Sequence, residues 1–195
     1  MQRKGTLMDP LDLDRRALAA TGACVDRLEA ADLTRPTPCA AWDVRALVNH
    51  VIANNSLYAA AAVGEAVEWG RRDLDWVGDD ARGAYIRSAD AVTAAFGAAD
   101  LTAEIDMPFG RLAAAQALAV HFVDTLTHGW DLAVATGQDA TLDPDLAAAA
   151  IDIVGFYPPD VFGTEQFFAQ GLPALDDATP GERLVAMLGR HAPTG

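Results

Sequence analysis

Lysine is nearly missing from this chain. Lys4 is the only one, and basic residues total 14 against 28 Asp and Glu, for a formal charge of −14. So acidic a chain offers no phosphate-neutralising surface, which excludes nucleic acid as a partner. No basic cluster exceeds Arg15–Arg16 or Arg71–Arg72, so an anionic membrane surface is excluded as well. Cysteine is scarce: Cys24 and Cys39 make no disulfide framework. No stretch approaches the ~18 apolar residues of a membrane span; the alanine-rich pieces Tyr58–Val63 and Leu146–Ile151 are short. The N-terminal MQRKGTLMDPLDLDRR lacks the apolar segment of a signal peptide. A soluble cytoplasmic protein is the expectation. Glycine-rich phosphate loops, G-x-S-x-G and C-x-x-C are also missing, which argues against nucleotide, serine-hydrolase and thioredoxin-type chemistry.

What is present is hydrophobic content, 51% of 195 residues, enough for one domain with one core. Asp9-Pro10 reads as a helix N-cap followed by a first-turn proline. That helix is expected to run to about Asp32, until Thr34-Arg-Pro-Thr-Pro38 breaks it. A second helix starts near Asp43 and ends at Val63, and Gly64–Gly78 is a polar, Trp-containing connection. Asp79 or Asp80 caps a third helix carried by Tyr85, Ile86, Ala89, Val92 and Phe96. Leu101–Met107 reads as a loop or one short strand. A fourth helix spans roughly Leu112 to Thr136, closed by Gly137. Four long helices with little β propensity predict an all-α four-helix bundle, about residues 9–137 of a single domain 1–195. The C-terminal helical and irregular extension, about 138–195, holds a helix near Asp145–Phe156, a Pro/Gly/Phe-rich stretch Tyr157–Pro173 and a short helix around Glu182–Leu188. This tail is expected to pack over one end of the bundle, its long aperiodic stretch suggesting a lid or an oligomer contact.

The fourth helix carries a stripe that cores normally exclude: His121, Asp124, His128 and Asp131. At roughly 100° per residue these side chains share about 80° of arc on a helix otherwise apolar nearly all round. Facing an interior, such groups cost several kcal/mol unless hydrogen-bonded, paired or bound to a cation. Asp124 and His128, four apart, meet on adjacent turns, the spacing by which a helix offers two ligands to one ion. His191 lies in the terminal tail, which leaves His50 as the third candidate, with Asn54 one turn along the same face. Two histidines and one carboxylate leave coordination positions open, as catalytic sites do. Zinc is the first choice, with iron or nickel as alternatives. The plainer alternative is a hydrogen-bonded core in which Asp124 and His128 simply pair. His121 reads as packed, or as a residue behind the ligands; Asp131 reads as a carboxylate orienting a histidine, or as an ordinary hydrogen-bonding partner. Trp42 and Trp130 read first as core aromatics and second as substrate contacts. Cys39, in TPCAAW, has only Arg35 and Arg45 as charged neighbours in sequence, so a structural thiol is expected, as for Cys24.

Three segments, TPCAAWDVRALVNHV (Thr37–Val51), DTLTHGWDLAVATG (Asp124–Gly137) and the closing Leu188–Arg190, resemble the mycothiol-dependent maleylpyruvate isomerase metal-binding family, notably its single-domain uncharacterised members. That family belongs to the DinB-like four-helix bundles, and the similarity spans about residues 10–190. The resemblance implies metal ligands at His50, Asp124 and His128, the set reached from the stripe. The family's isomerases carry glutamate where Asp124 stands, and a second C-terminal domain for which this chain has no room. Metal binding is therefore more strongly implied than the maleylpyruvate reaction.

Three functions follow as expectations. The first is a mycothiol-dependent metalloenzyme of isomerase or S-transferase type, whose metal favours the thiolate of a small-molecule thiol that then adds to an electrophilic substrate. The second is a hydrolase using metal-bound water. The third is a non-catalytic binding protein for a metal or small ligand. The aromatic tail (Phe156, Tyr157, Phe162, Phe167, Phe168) would either cover the bundle or supply a homodimer interface.

Overall fold

The computed structural model describes residues 9–40, 42–156, 171–174 and 176–191. Asp9 caps α1 (Pro10–Val25) by accepting from the Leu11 amide at 3.1 Å, with Pro10 in the first turn. The helix ends well before the expected Asp32. The reason is local: Glu29 is extended, and its amide donates to the Asp32 carboxylate at 3.0 Å, so a capping box restarts the chain as a 3-10 turn at Ala30–Asp32.

Asp43 caps α2 (Val44–Ala62) and Asp80 caps α3 (Ala81–Ala98), each through its side-chain oxygen. The segment expected to be a loop or single strand is a two-stranded hairpin, β1 (Glu104–Met107) against β2 (Gly110–Ala113), antiparallel, with Met107 opposite Gly110. Gly110 turns at φ +127°, where a side chain would be strained. Then α4 (Ala114–Thr136) follows directly and ends at Gly137, left-handed at φ +70°.

Helix α1 packs on α4 and α2 on α3, while α1–α3 and α2–α4 contacts close the bundle. Val44, Leu47, Val51, Val92, Phe96 and Leu118 fill its centre. The close α1–α4 approach depends on Gly129, because a Cβ there would meet the Thr21 hydroxyl, which itself donates to the Thr125 carbonyl at 3.0 Å.

The C-terminal helices α5 (Pro144–Phe156) and α6 (Pro180–Met187) do not cap an end of the bundle. They lie along its flank: Leu146, Ala147, Leu184 and Leu188 share a second apolar cluster with Leu13 and Ala17 from the first half of α1 and Phe122 and Leu126 from the middle of α4. The apolar residues of α4 on either side of its polar stripe are thereby both used. Phe156 is 78% exposed; the other tail aromatics and most of the Tyr157–Pro173 stretch lie outside the described residues. Among the described residues no helix is long and apolar enough to cross a membrane.

Candidate metal centre

Helices α2 and α4 bring His50, Asp124 and His128 together, their ligand atoms all within 4.8 Å of one another. His50 Nε2 lies 3.5 Å from Asp124 Oδ2 and His128 Nε2 lies 3.4 Å from Asp124 Oδ1, so each imidazole faces its own carboxylate oxygen. Both distances exceed a good charge-assisted hydrogen bond. They match the ~3.4 Å between two ligands held about 2.0–2.1 Å from one ion at tetrahedral angles. His50 and Asp124 keep 16% of their side chains exposed, while His128 keeps 1%. The group is thus reachable from one side and closed on the other. Its donor set fits a divalent cation.

Behind His128, its Nδ1 lies 2.9 Å from Asp131 Oδ2. A carboxylate on Nδ1 fixes that nitrogen as the proton-bearing one and turns the Nε2 lone pair toward the cluster. Asp131, wholly buried, is gripped in turn by Arg190, through Nε at 3.2 Å and Nη2 at 2.8 Å. The same Nη2 donates to Cys39 Sγ at 3.0 Å, and the thiol lies 3.3 Å from Asp131 Oδ2. Cys39 is placed by Thr37, whose hydroxyl donates to the Trp42 carbonyl at 2.9 Å and accepts from the Cys39 amide at 3.1 Å. The Trp42 ring tilts over His50, with centroids 4.5 Å apart, and lies 5.8 Å from His128.

Cys39, His128 and Asp131 form a second cluster of ligand types. A divalent cation is disfavoured there, because the Arg190 guanidinium already donates to both the thiol sulfur and the carboxylate, and its charge would repel a second cation.

His121 stands apart from this assembly. Its Nδ1 is 2.7 Å from Asp14 on α1 and its Nε2 is 3.0 Å from Asn55 Oδ1, so both nitrogens are used in a separate buried network. The reading of His121 as a residue behind the ligands is corrected: it hydrogen-bonds none of the three. Cys39 also needs correction. It is half-buried against a guanidinium and a carboxylate, not in apolar surroundings, and these partners lie 151 and 92 residues away in sequence. Trp42 forms a wall of the cluster, whereas Trp130 is buried core. Arg190 could have been suspected only from the closing Leu-Gly-Arg.

Burial opposes ionisation of every group here, and the outcome depends on pairing. For His128, Asp124 and then Asp131 outweigh burial and hold the imidazole well above its ordinary range. Burial of Asp124 is likewise overcome, by His128 and then His50, which hold the carboxyl well below its ordinary range. For His50 burial wins, and its pKa falls despite Asp124. The cluster therefore holds a carboxylate that stabilises a proton on His128, the proton a bound cation would displace from Nε2.

The family model described as the mycothiol maleylpyruvate isomerase N-terminal domain matches residues 15–133. Two uncharacterized proteins from two strains of Mycobacterium tuberculosis are each 34% identical over 187 residues, spanning 94% of this chain and 98% of theirs. The crystal structure of the mycothiol-dependent maleylpyruvate isomerase superposes with a TM-score of 0.60 at 18% identity, covering 91% of this chain and 80% of that one. A histidine-to-alanine mutant of that isomerase superposes with a TM-score of 0.59. At this identity the structures establish the shared fold. The matched segment runs from α1 to near the end of α4 and contains Cys39, His50, Asp124, His128 and Asp131, so the chain belongs to the mycothiol maleylpyruvate isomerase N-terminal domain family.

Proposed function

We propose that His50, Asp124 and His128 hold one divalent ion, zinc before nickel or iron, and that the protein is a metalloenzyme of isomerase or S-transferase type using a small-molecule thiol such as mycothiol. The observation that carries this reading is one carboxylate facing two imidazole Nε2 atoms at 3.4 and 3.5 Å, on the partly open side of the bundle. A bound ion of this kind would favour the thiolate of a coordinated thiol. The chain's own residues do the rest. Asp131 orients His128, Arg190 holds Asp131, Asn54 donates to Asp124 at 2.9 Å, and Trp42 keeps water from the His50 face. The thiol partner is supported by the relative whose structure is described as mycothiol-dependent.

We take residues 1–195 as one domain, and the free cysteines as suited to the reducing cytoplasm. The test is metal analysis of protein purified without chelator, followed by calorimetric titration with mycothiol. Near-stoichiometric metal, with thiol binding that disappears in His128→Ala, is the expected result. Metal without thiol affinity would move the reading to a hydrolase or a binding protein. No metal uptake at micromolar concentration would overturn it.

A further inference from the structure

Among the described residues, two buried side-chain atoms have no hydrogen-bond partner: Asn54 Oδ1 and Arg72 Nε. Asn54 touches His50, and Arg72 lies on a turn tied to Asn49, the chain neighbour of His50. Asn54 Nδ2 donates to Asp124 Oδ2 at 2.9 Å and lies 3.0 Å from His50 Nε2. Because a carboxylate only accepts, this contact fixes the amide orientation and leaves Oδ1 as the orphan.

Arg72 belongs to a 3-10 turn, Trp69–Asp73, strapped onto α2 by Asn49, the chain neighbour of His50. Asn49 donates to the carbonyls of Leu74 at 3.0 Å and Arg72 at 3.4 Å, and accepts from the Trp76 amide at 2.7 Å. The Arg72 guanidinium lies 4.9 Å above the Trp69 ring, which stands edge-on to Tyr58 at 5.6 Å. Tyr58, Asn54 and His50 are four residues apart and share one face of α2.

In a chain of net charge −14, Arg16, Arg45, Arg82, Arg111 and Arg190 all find carboxylates. Among the described residues the Arg72 guanidinium has neither an ion pair nor a hydrogen bond, only the indole beneath it. Stacking fixes the plane of the fork and leaves its donors for a planar or tetrahedral oxyanion. An unpaired buried donor is costly, and a bound acceptor removes that cost.

We propose that Arg72 is the anion-holding residue of this site, taking a carboxylate or phosphate group of the ligand, while Asn54 Oδ1 accepts an N–H or O–H from the same ligand. This rests on the metal-site reading for where the rest of the ligand sits, not for the anion contact itself.

The test is calorimetric titration of the full chain, with and without zinc, using succinate in one arm and inorganic phosphate in the other. Wild-type protein should bind one of them, which identifies the oxyanion. Arg72→Gln should weaken that binding roughly tenfold or more at unchanged metal content. Arg72→Lys should recover part of the affinity, which a folding defect would not permit. Equal anion binding by wild type and Arg72→Gln, or no binding of either anion by wild type, overturns the proposal. If the chain takes up no metal yet shows Arg72-dependent anion binding, the metal reading fails and the role of Arg72 stands.

Discussion

Replacing Arg190 by methionine removes the cation that neutralises Asp131 while roughly keeping the side-chain volume. Asp131 has no solvent exposure and Arg190 only 5%, and two N–H groups at 2.8 and 3.2 Å join them. The variant leaves the carboxylate with His128 Nδ1 at 2.9 Å and the Cys39 thiol at 3.3 Å. Breaking one side of a buried pair typically costs about 3–5 kcal/mol, because the remaining charge stays desolvated. For a chain of this size that is a fall in Tm of roughly 6–20 °C. The Asp131→Asn/Arg190→Met double variant removes the stranded charge too, so it should regain about half of the loss. Urea unfolding of the four members of the cycle measures the coupling directly. An Arg190→Met protein within about 1 kcal/mol of wild type, or a double variant no more stable than the single, would refute the assignment of Arg190 as the partner of Asp131.

Gly129→Ala sets helix propensity against packing. Propensity alone favours alanine by about 1 kcal/mol, but the new methyl meets Thr21 Oγ1 and comes 3.3 Å from the Thr21 backbone Cα. A net loss of about 1–3 kcal/mol in chemical denaturation is expected; a more stable variant would show that α1 and α4 can part without cost. For His121, burial is outweighed by Asp14, and its pKa is raised. The stability from this pair is therefore fully present below the unfolded value of about 6.5, and is lost as pH rises through the higher folded value. Urea midpoints of wild type should decline across that alkaline window, and Asp14→Asn should lack that decline; parallel profiles would dismiss the pair. His50→Ala should reduce zinc affinity by more than about 100-fold, beyond the 10–100-fold typical of residues behind the ligands. Competition with a chelator measures it, and a smaller loss would remove His50 from the ligand set.

Capping and periodicity were written locally. Asp9, Asp43 and Asp80 cap the helices that follow them, and Gly137 ends α4 in the left-handed region, because each of these needs only side chains within a turn of the backbone it satisfies. The stripe on α4 was legible for the same reason: its spacing is a property of one helix. Where α1 stops was not, because the Glu29–Asp32 capping box offers the backbone a local alternative to helix continuation.

Sorting the stripe required the other helices. His121 goes to Asp14 and Asn55, while Asp124 and His128 meet His50, and only the packing of α1 and α2 against α4 decides between those partners. Cys39 and Arg190 are joined across 151 residues, a separation at which sequence patterns carry no register. The sequence by itself determined which groups needed a partner, since burial on an apolar helix makes an unpaired charge untenable. The tertiary structure decided which partner each received, because that depends on distances between helices that no local periodicity encodes.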